Sequence, residues 1–565
     1  MEFLPLHLKK YIVDQDYSKY TPLDHACWRY ILRQLKNFLS DHAHESYLSG
    51  LEKTGLDIET VPKISDISEH LQKFGWRALP VSGFIPPAAF MELQSLSILP
   101  IASDMRSLDH LMYTPAPDIV HEAAGHAPFL IDPEYSDYLK QYAQIAKKAI
   151  ISKEDYNLYE AIRELSDIKE NPASTADEIS QAEEKLNRLS DAVTYVSEGS
   201  QLSRMNWWTA EYGLVGDLNK PKIYGAGLLS SVGESKWCLS EKVKKIPLTL
   251  DCINQSYDIT EPQPQLFVAK NFKHLSKVLE ELADTMAFKT GGIEGLQKAV
   301  QAESINSVEF ENGLQISGVL KKYFTENKDV TYLQFTGPSQ ISFNNKQLAG
   351  HGKDYHLEGY GTPVGPIKNY SPDDFTDTKI GHTVELQYVS GVNVKGVLKN
   401  ILRVTPDAII LTFENATCSY KGEVLFQPAW GAYDIVIAKS VTSVFGGPAD
   451  RGAYGAVDDF VASRVPAPKY SEKQLKLFKD YRSVRDLRTG GSYSADDISR
   501  LFNEFKKEVP EEWLLFLELL EMSVKKDFSP DLIRDLDAHL KTIATKSEAL
   551  QTNITAGLKL AYEKF

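Results

Sequence analysis

The spacing of one histidine pair limits this chain more than any other feature. His121-Glu122-Ala123-Ala124-Gly125-His126 sets its two histidines five residues apart. Imidazoles four apart on a helix differ by about 40° and can share a metal from one face, whereas five apart they stand roughly 140° around an ideal helix. The wider arrangement suits two adjacent corners of an octahedral ion. It does not suit a zinc hydrolase, and no third histidine follows at the spacing such hydrolases use. The third corner then needs a carboxylate from elsewhere. Glu211, in Trp207-Trp208-Thr209-Ala210-Glu211-Tyr212-Gly213-Leu214, is the best candidate. Two histidines and one carboxylate with open positions make the donor set of non-haem Fe(II) oxygenases. A histidine pair by itself is more often structural, so the flanking residues decide.

Pro115 and Pro117, one residue apart, exclude a helix interior and make a stiff extended approach to the pair. Asp118 is then positioned to cap the helix that carries the histidines. Arg106 supplies a guanidinium, which can hold a substrate carboxylate through two parallel hydrogen bonds. Alone it would read as a surface ion pair, just as Phe90, Trp207 and Trp208 alone would read as core. Beyond Glu211, Tyr224-Gly225-Ala226-Gly227-Leu228-Leu229-Ser230-Ser231 is a small-residue stretch where backbone can approach a ligand closely.

Five blocks occur in order: Leu79-Pro80-Val81-Ser82-Gly83, Met112 to His126, Trp207 to Leu214, Tyr224 to Glu234 with Cys238-Leu239-Ser240-Glu241, and Thr260-Glu261-Pro262-Gln263-Pro264. Together they resemble the pterin-dependent aromatic amino acid hydroxylase family, nearest its phenylalanine 4-hydroxylase branch, over residues 1–295. The resemblance implies that His121, His126 and Glu211 ligate one Fe(II). It implies that Glu122 lies beside a tetrahydropterin and shapes where O2 reacts, that Phe90 stacks on the pterin ring, and that Gly83 and Ile85 grip it by backbone. It also implies that Arg106 holds the carboxylate of the amino acid, helped by the hydroxyls of Thr114 and Ser230, with Pro117, Trp207 and Gly227 as walls. In the implied reaction one oxygen atom of O2 ends on the pterin and the other on the aromatic ring, while the protein supplies geometry and excludes water.

Two positions speak to the substrate. Trp207 matches family members acting on phenylalanine or tyrosine. Ile259 stands where members acting on phenylalanine carry an aliphatic side chain, which would leave a phenolic hydroxyl buried without a partner. The expected reaction is phenylalanine to tyrosine, as in phenylalanine catabolism. Tryptophan or tyrosine is the alternative substrate, and a scaffold protein with a degenerate core is the competing class. Four positions depart from the family: Asn206 replaces an aromatic, Trp208 and Tyr212 replace phenylalanines, and Pro100 replaces a histidine on the pterin side.

At 565 residues the chain is too long for one core. Its net charge of −15 argues against a nucleic-acid or anionic-membrane partner, since both need a basic footprint. Cys27, Cys238, Cys252 and Cys418 show no paired spacing, Met1-Glu2-Phe3-Leu4-Pro5 does not read as a signal peptide, and no apolar run approaches a membrane span. A cytoplasmic enzyme is expected.

The expected organisation is multidomain. A mostly α-helical catalytic domain with small β-elements spans 1–295 and carries a two-helix insertion near 145–200, its loop at Asn171-Pro172. A β-rich domain, barrel or sandwich, spans 305–445, with strands near 330–335, 382–389, 392–397 and 408–413. A linker runs from Gly446 to Pro468. A helical domain over 470–565, with helices near 473–481, 495–508 and 530–544, either forms a homodimer or packs on the catalytic half. Leu248 to Lys270 alternates like strands, and Phe272 to Phe288 reads as a helix ended by Gly291-Gly292. His351 and His356 repeat the five-residue spacing, but no third ligand lies near in sequence, so a turn-rich connector is the simpler reading.

Overall fold

The computed structural model describes residues 4–83, 85–112, 117–170, 174–258, 261–455 and 470–563. Thr114, Ile259 and the Asn171-Pro172 loop lie outside the described residues. The first long helix, Pro22–His42, begins with a capping box. Thr21 Oγ1 accepts from the Asp24 N–H at 3.2 Å, and the Asp24 carboxylate accepts from the Thr21 N–H at 2.7 Å. Every position from His25 to Leu35 is buried, so this helix is covered all round. Helix Val232–Trp237 and strand Lys220–Ile223 pack on it from within the first half of the chain. Helices Glu472–Gly490 and Glu548–Tyr562 pack on it from the far end.

The C-terminal helices therefore share one hydrophobic core with the first half, in which Trp28 and Ile31 join Tyr481, Val484, Trp513 and Leu520. The expected packing of this region on the first half of the chain is present. Helices Ala495–Glu508 and Pro530–Ala544 lie where the periodicity predicts. Trp513–Lys525 does not appear in that reading because every residue from Trp513 to Ser523 is buried, so no polar face marks the helical period.

Two small sheets frame the first half. Strands Arg77–Val81 and Ile98–Ala102 pair in parallel around helix Pro87–Ser95. A second sheet runs in the order Lys220–Ile223, Leu214–Asp217, Gln265–Ala269, Lys244–Pro247. The alternation from Leu248 to Lys270 overstates the strands: Leu250–Asn254 is a 3-10 turn and, among the described residues of the run, Gln265–Ala269 is the only strand, preceded by Pro262 and Pro264, which have no N–H for a ladder. Helix Phe272–Ala283 is followed by Gly291 and Gly292 at φ of +54° and +52°. A Cβ on Gly291 would stand 2.3 Å from the Thr442 carbonyl oxygen, so glycine lets the chain cross that strand. Helices Lys153–Glu170 and Ala176–Asp191 pack on each other as a hairpin in which Ala161, Leu165 and Ala182 are the buried apolar side chains.

From Ile305 to Gly446 the described chain is mostly antiparallel β-structure. One sheet orders Lys346–Gln347, Asp329–Phe343, Leu314–Glu326, Ile305–Phe310 and Val441–Gly446, with Gly359–Pro363 also on Asp329–Phe343. The other orders Thr383–Gln387, Asn393–Arg403, Ile409–Tyr420 and Glu423–Phe426, with Tyr433–Ile437 also on Ile409–Tyr420. The run beginning at Ala408 is apolar without alternation because it is buried on both faces: Ile410 belongs to the core of the first sheet and Ile409 and Leu411 to that of the second. All four cysteines are buried and none forms a disulfide. No helix among the described residues is long and apolar enough to cross a membrane.

Candidate metal centre

His121 to His126 is not wound as an α-helix. It forms a π-turn, in which the Ala127 N–H donates to the Glu122 carbonyl five residues back. A turn then takes more than four residues, so side chains five apart come onto one face. This corrects the roughly 140° divergence of an ideal helix, and the two Nε2 atoms lie 3.2 Å apart. Glu211 ends a second π-turn, Trp207–Glu211, closed by the Tyr212 N–H on the Trp207 carbonyl at 2.8 Å. Its Oε2 lies 3.3 Å from His121 Nε2 and its Oε1 3.3 Å from His126 Nε2.

These donors fit one ion. Ligands about 2.1 Å from a metal stand roughly 3.0 to 3.4 Å apart, from octahedral to tetrahedral geometry. Burial alone would raise the Glu211 pKa, but the two imidazoles beside it hold it well below the usual carboxylate range. Burial alone would lower that of His126, yet the Glu211 carboxylate outweighs it and raises the value to about 9. A cation at the centre of the three would stand in for those protons. His121 Nδ1 lies 3.1 Å from Ser230 Oγ, and Ser230 donates its own hydrogen to the Ala226 carbonyl at 2.7 Å. That chain assigns the proton of His121 to Nδ1 and leaves its Nε2 lone pair for the metal.

Arg106 is buried and already oriented. Its Nε and Nη2 donate to the two oxygens of Asp118 at 2.7 Å each, and Nη1 donates to the Ser230 carbonyl at 3.1 Å. Those bonds leave two of the five guanidinium N–H groups for a ligand. Asp118 also accepts from the His121 N–H at 3.0 Å, so the expected cap is present and carries a second duty. The Arg106 bond was not legible in sequence, since the two residues sit on either side of the proline-rich run. Ser230 ties the guanidinium to His121, toward which its hydroxyl is turned.

Glu122 is buried, its Oε2 has no hydrogen-bond partner among the described residues, and burial pushes its pKa up. Gly83 has φ of +56° and donates its N–H to Asp104 at 3.4 Å. Ile85 packs with Val81, Ala89 and Leu93, and half-buried Phe90 lies against that cluster. Of the expected pterin residues, Gly83, Ile85 and Phe90 thus lie around the parallel strand pair, whereas Glu122 lies in the π-turn with His121 and His126.

Trp207 is clamped on both faces, by Tyr212 at 4.5 Å and Tyr257 at 4.3 Å between ring centroids. As a wall it offers its edge. A Cβ on Gly227 would meet the Tyr212 ring at 2.9 Å and the Glu211 carbonyl oxygen at 3.1 Å, so glycine lets helix Ala226–Leu229 approach the second π-turn. Pro117 is half-buried. Asn206 donates to Glu211 Oε1 at 3.3 Å. Its departure from the usual aromatic was the one sequence signal that the carboxylate has a polar neighbour.

The profile described as biopterin-dependent aromatic amino acid hydroxylase matches residues 10–156 and 179–292, skipping most of the helical hairpin. The phenylalanine-4-hydroxylase of Pseudomonas aeruginosa is 29% identical over 276 residues, covering 48% of this chain and 87% of that protein. That of Rattus norvegicus is 30% identical over 274 residues, covering 47% of this chain and 51% of that protein. A crystal structure of phenylalanine hydroxylase from Chromobacterium violaceum with bound iron and phenylalanine is 26% identical, covers 49% of this chain and 87% of its own, and has a TM-score of 0.37.

Proposed function

With residues 10–156 and 179–292 forming a domain of the biopterin-dependent aromatic amino acid hydroxylase family, we propose that this chain is an Fe(II)- and tetrahydropterin-dependent monooxygenase that converts phenylalanine to tyrosine. The observation that carries the reading is the convergence of His121 Nε2, His126 Nε2 and the Glu211 carboxylate within 3.3 Å of one another. Three protein ligands leave positions open for exchange. Iron and tetrahydropterin, once bound, supply the reduction of O2.

The chain's own groups do the rest. Ser230 holds the His121 ring in the tautomer that presents Nε2. Asp118 keeps the Arg106 fork pointed, so that its two remaining N–H groups take the carboxylate of the amino acid. The Tyr212–Trp207–Tyr257 stack is a rigid apolar flank for an aromatic ring. Glu122 is assigned to the reacting edge of the pterin, and Gly83, Ile85 and Phe90 to its binding. Phenylalanine is preferred because the relatives are phenylalanine-4-hydroxylases, and Trp207, which matches members acting on phenylalanine or tyrosine, speaks against tryptophan.

The test is anaerobic loading with Fe(II), then addition of tetrahydropterin, phenylalanine and O2, with tyrosine read by chromatography beside Glu211→Ala. Tyrosine formed in step with pterin oxidation and lost in the variant supports the reading. Pterin oxidation without tyrosine overturns the substrate, and absence of both overturns the function.

A further inference from the structure

The β-rich half holds a second set of the same donors. His351 and His356 flank a turn between strands Lys346–Gln347 and Gly359–Pro363. The His351 carbonyl accepts from the Ile341 N–H at 2.9 Å and the His356 carbonyl from the Ser339 N–H at 3.0 Å, pinning both residues to strand Asp329–Phe343. The turn brings His351 Nδ1 to 3.2 Å from His356 Nε2. The third ligand missing from the local sequence comes from the other sheet: Asp434, on strand Tyr433–Ile437. One ligand atom from each of the three lies within 4.8 Å of the others.

All three are buried, at 7%, 8% and 4% exposure. The Asp434 carboxylate is oriented by Thr412, whose Oγ1 donates to Oδ1 at 2.6 Å. Among the described residues no lysine or arginine forms an ion pair with Asp434. A buried carboxylate with no cationic side chain paired to it lacks its compensating charge. Imidazole and carboxylate together are donors for divalent transition ions.

We propose that His351, His356 and Asp434 bind a second divalent transition ion of the zinc type, which ties the two β-sheets together and is separate from the centre at His121. Carboxylate rotation about its χ angles would bring the three donors onto an ion, with water completing the coordination. The site needs no part of the hydroxylase reading.

The test uses the full-length chain, stripped with chelator and titrated anaerobically with Co²⁺, with bound equivalents counted by dialysis and followed by d–d absorption. Wild type is expected to bind two equivalents, and His121→Ala and Asp434→Asn one each. One wild-type equivalent that survives His121→Ala and disappears in Asp434→Asn also supports this site, while counting against the other. One equivalent lost in His121→Ala, or two retained in Asp434→Asn, overturns the proposal. Zn²⁺ should raise the melting temperature of wild type and His121→Ala alike. If Asp434→Asn does not fold, the number of equivalents bound by wild type and by His121→Ala still decides.

Discussion

The C-terminal helices are locked to the catalytic half by a buried charge cluster, and Glu521→Gln tests how strongly. Glu521, on helix Trp513–Lys525, contacts both Arg29 and Arg33 of helix Pro22–His42 and lies 3.6 Å from Arg488. Glu518 reaches Arg29 at 3.8 Å and Arg488 at 3.7 Å, and Glu59 pairs with Arg29 at 2.7 Å. Three guanidinium groups thus face three carboxylates. Removing one carboxylate charge leaves three guanidinium groups facing two carboxylates, with Arg29 and Arg33 only 8% and 7% exposed. Breaking a buried ion pair from one side costs about 3–5 kcal/mol, against about 0–1 for an exposed pair.

The assay is urea unfolding, followed by tryptophan fluorescence and, in parallel, by retention of iron at His121. Because Trp28 and Trp513 share one core, both signals should be lost together and earlier in the variant. A loss below about 1 kcal/mol, in the range of exposed pairs, would refute the argument. So would unfolding of the C-terminal helices alone while the iron site survived. The pH dependence has a definite sign. Burial works against the Glu521 charge, but the guanidinium groups outweigh it and lower the folded pKa. Its contribution is therefore complete above the unfolded value of about 4.3 and disappears as pH falls through the lower folded value. The gap between wild type and variant should narrow in acid and stay constant from neutral upward.

Three further outcomes are expected near the metal. Ser230→Ala removes the group that accepts from His121 Nδ1, so iron affinity should fall about 10- to 100-fold in chelator competition; unchanged affinity would remove its positioning role. Asp118→Asn loosens the Arg106 fork at the cost of a charged hydrogen bond, about 1.5–3 kcal/mol, so KM for the amino acid should rise roughly 10- to 100-fold in steady-state kinetics. A normal KM would mean that Arg106 does not hold the carboxylate. In Gly125→Ala the new Cβ would lie 2.7 Å from the Ala226 carbonyl oxygen, pushing the first π-turn off its neighbour. A loss of about 1–3 kcal/mol in thermal stability, with reduced iron content, is expected, and full iron content would argue that the turn adjusts without strain.

What was legible in the amino-acid sequence was chemistry and local period. The donor types at His121, His126 and Glu211, the guanidinium at Arg106, the helices at 495–508 and 530–544, and the strand near 408–413 all follow from side-chain type and short-range pattern. Their geometry was decided elsewhere. Histidines five apart share a face only because the turn is wound with i to i+5 hydrogen bonds, against the close packing of Gly125 on Ala226. Asp118 and Ser230 found their partners across the proline run and across the fold. Helix Trp513–Lys525 carried no readable period because the first half of the chain covers it on the side that would otherwise be polar. His351 and His356 showed the same spacing as the first pair, yet their meaning depended on Asp434, which arrives from a different sheet. Spacing along a chain encodes which groups can share a face. Which distant carboxylate meets them is set by how sheets and helices close on one another, and only the folded chain contains that.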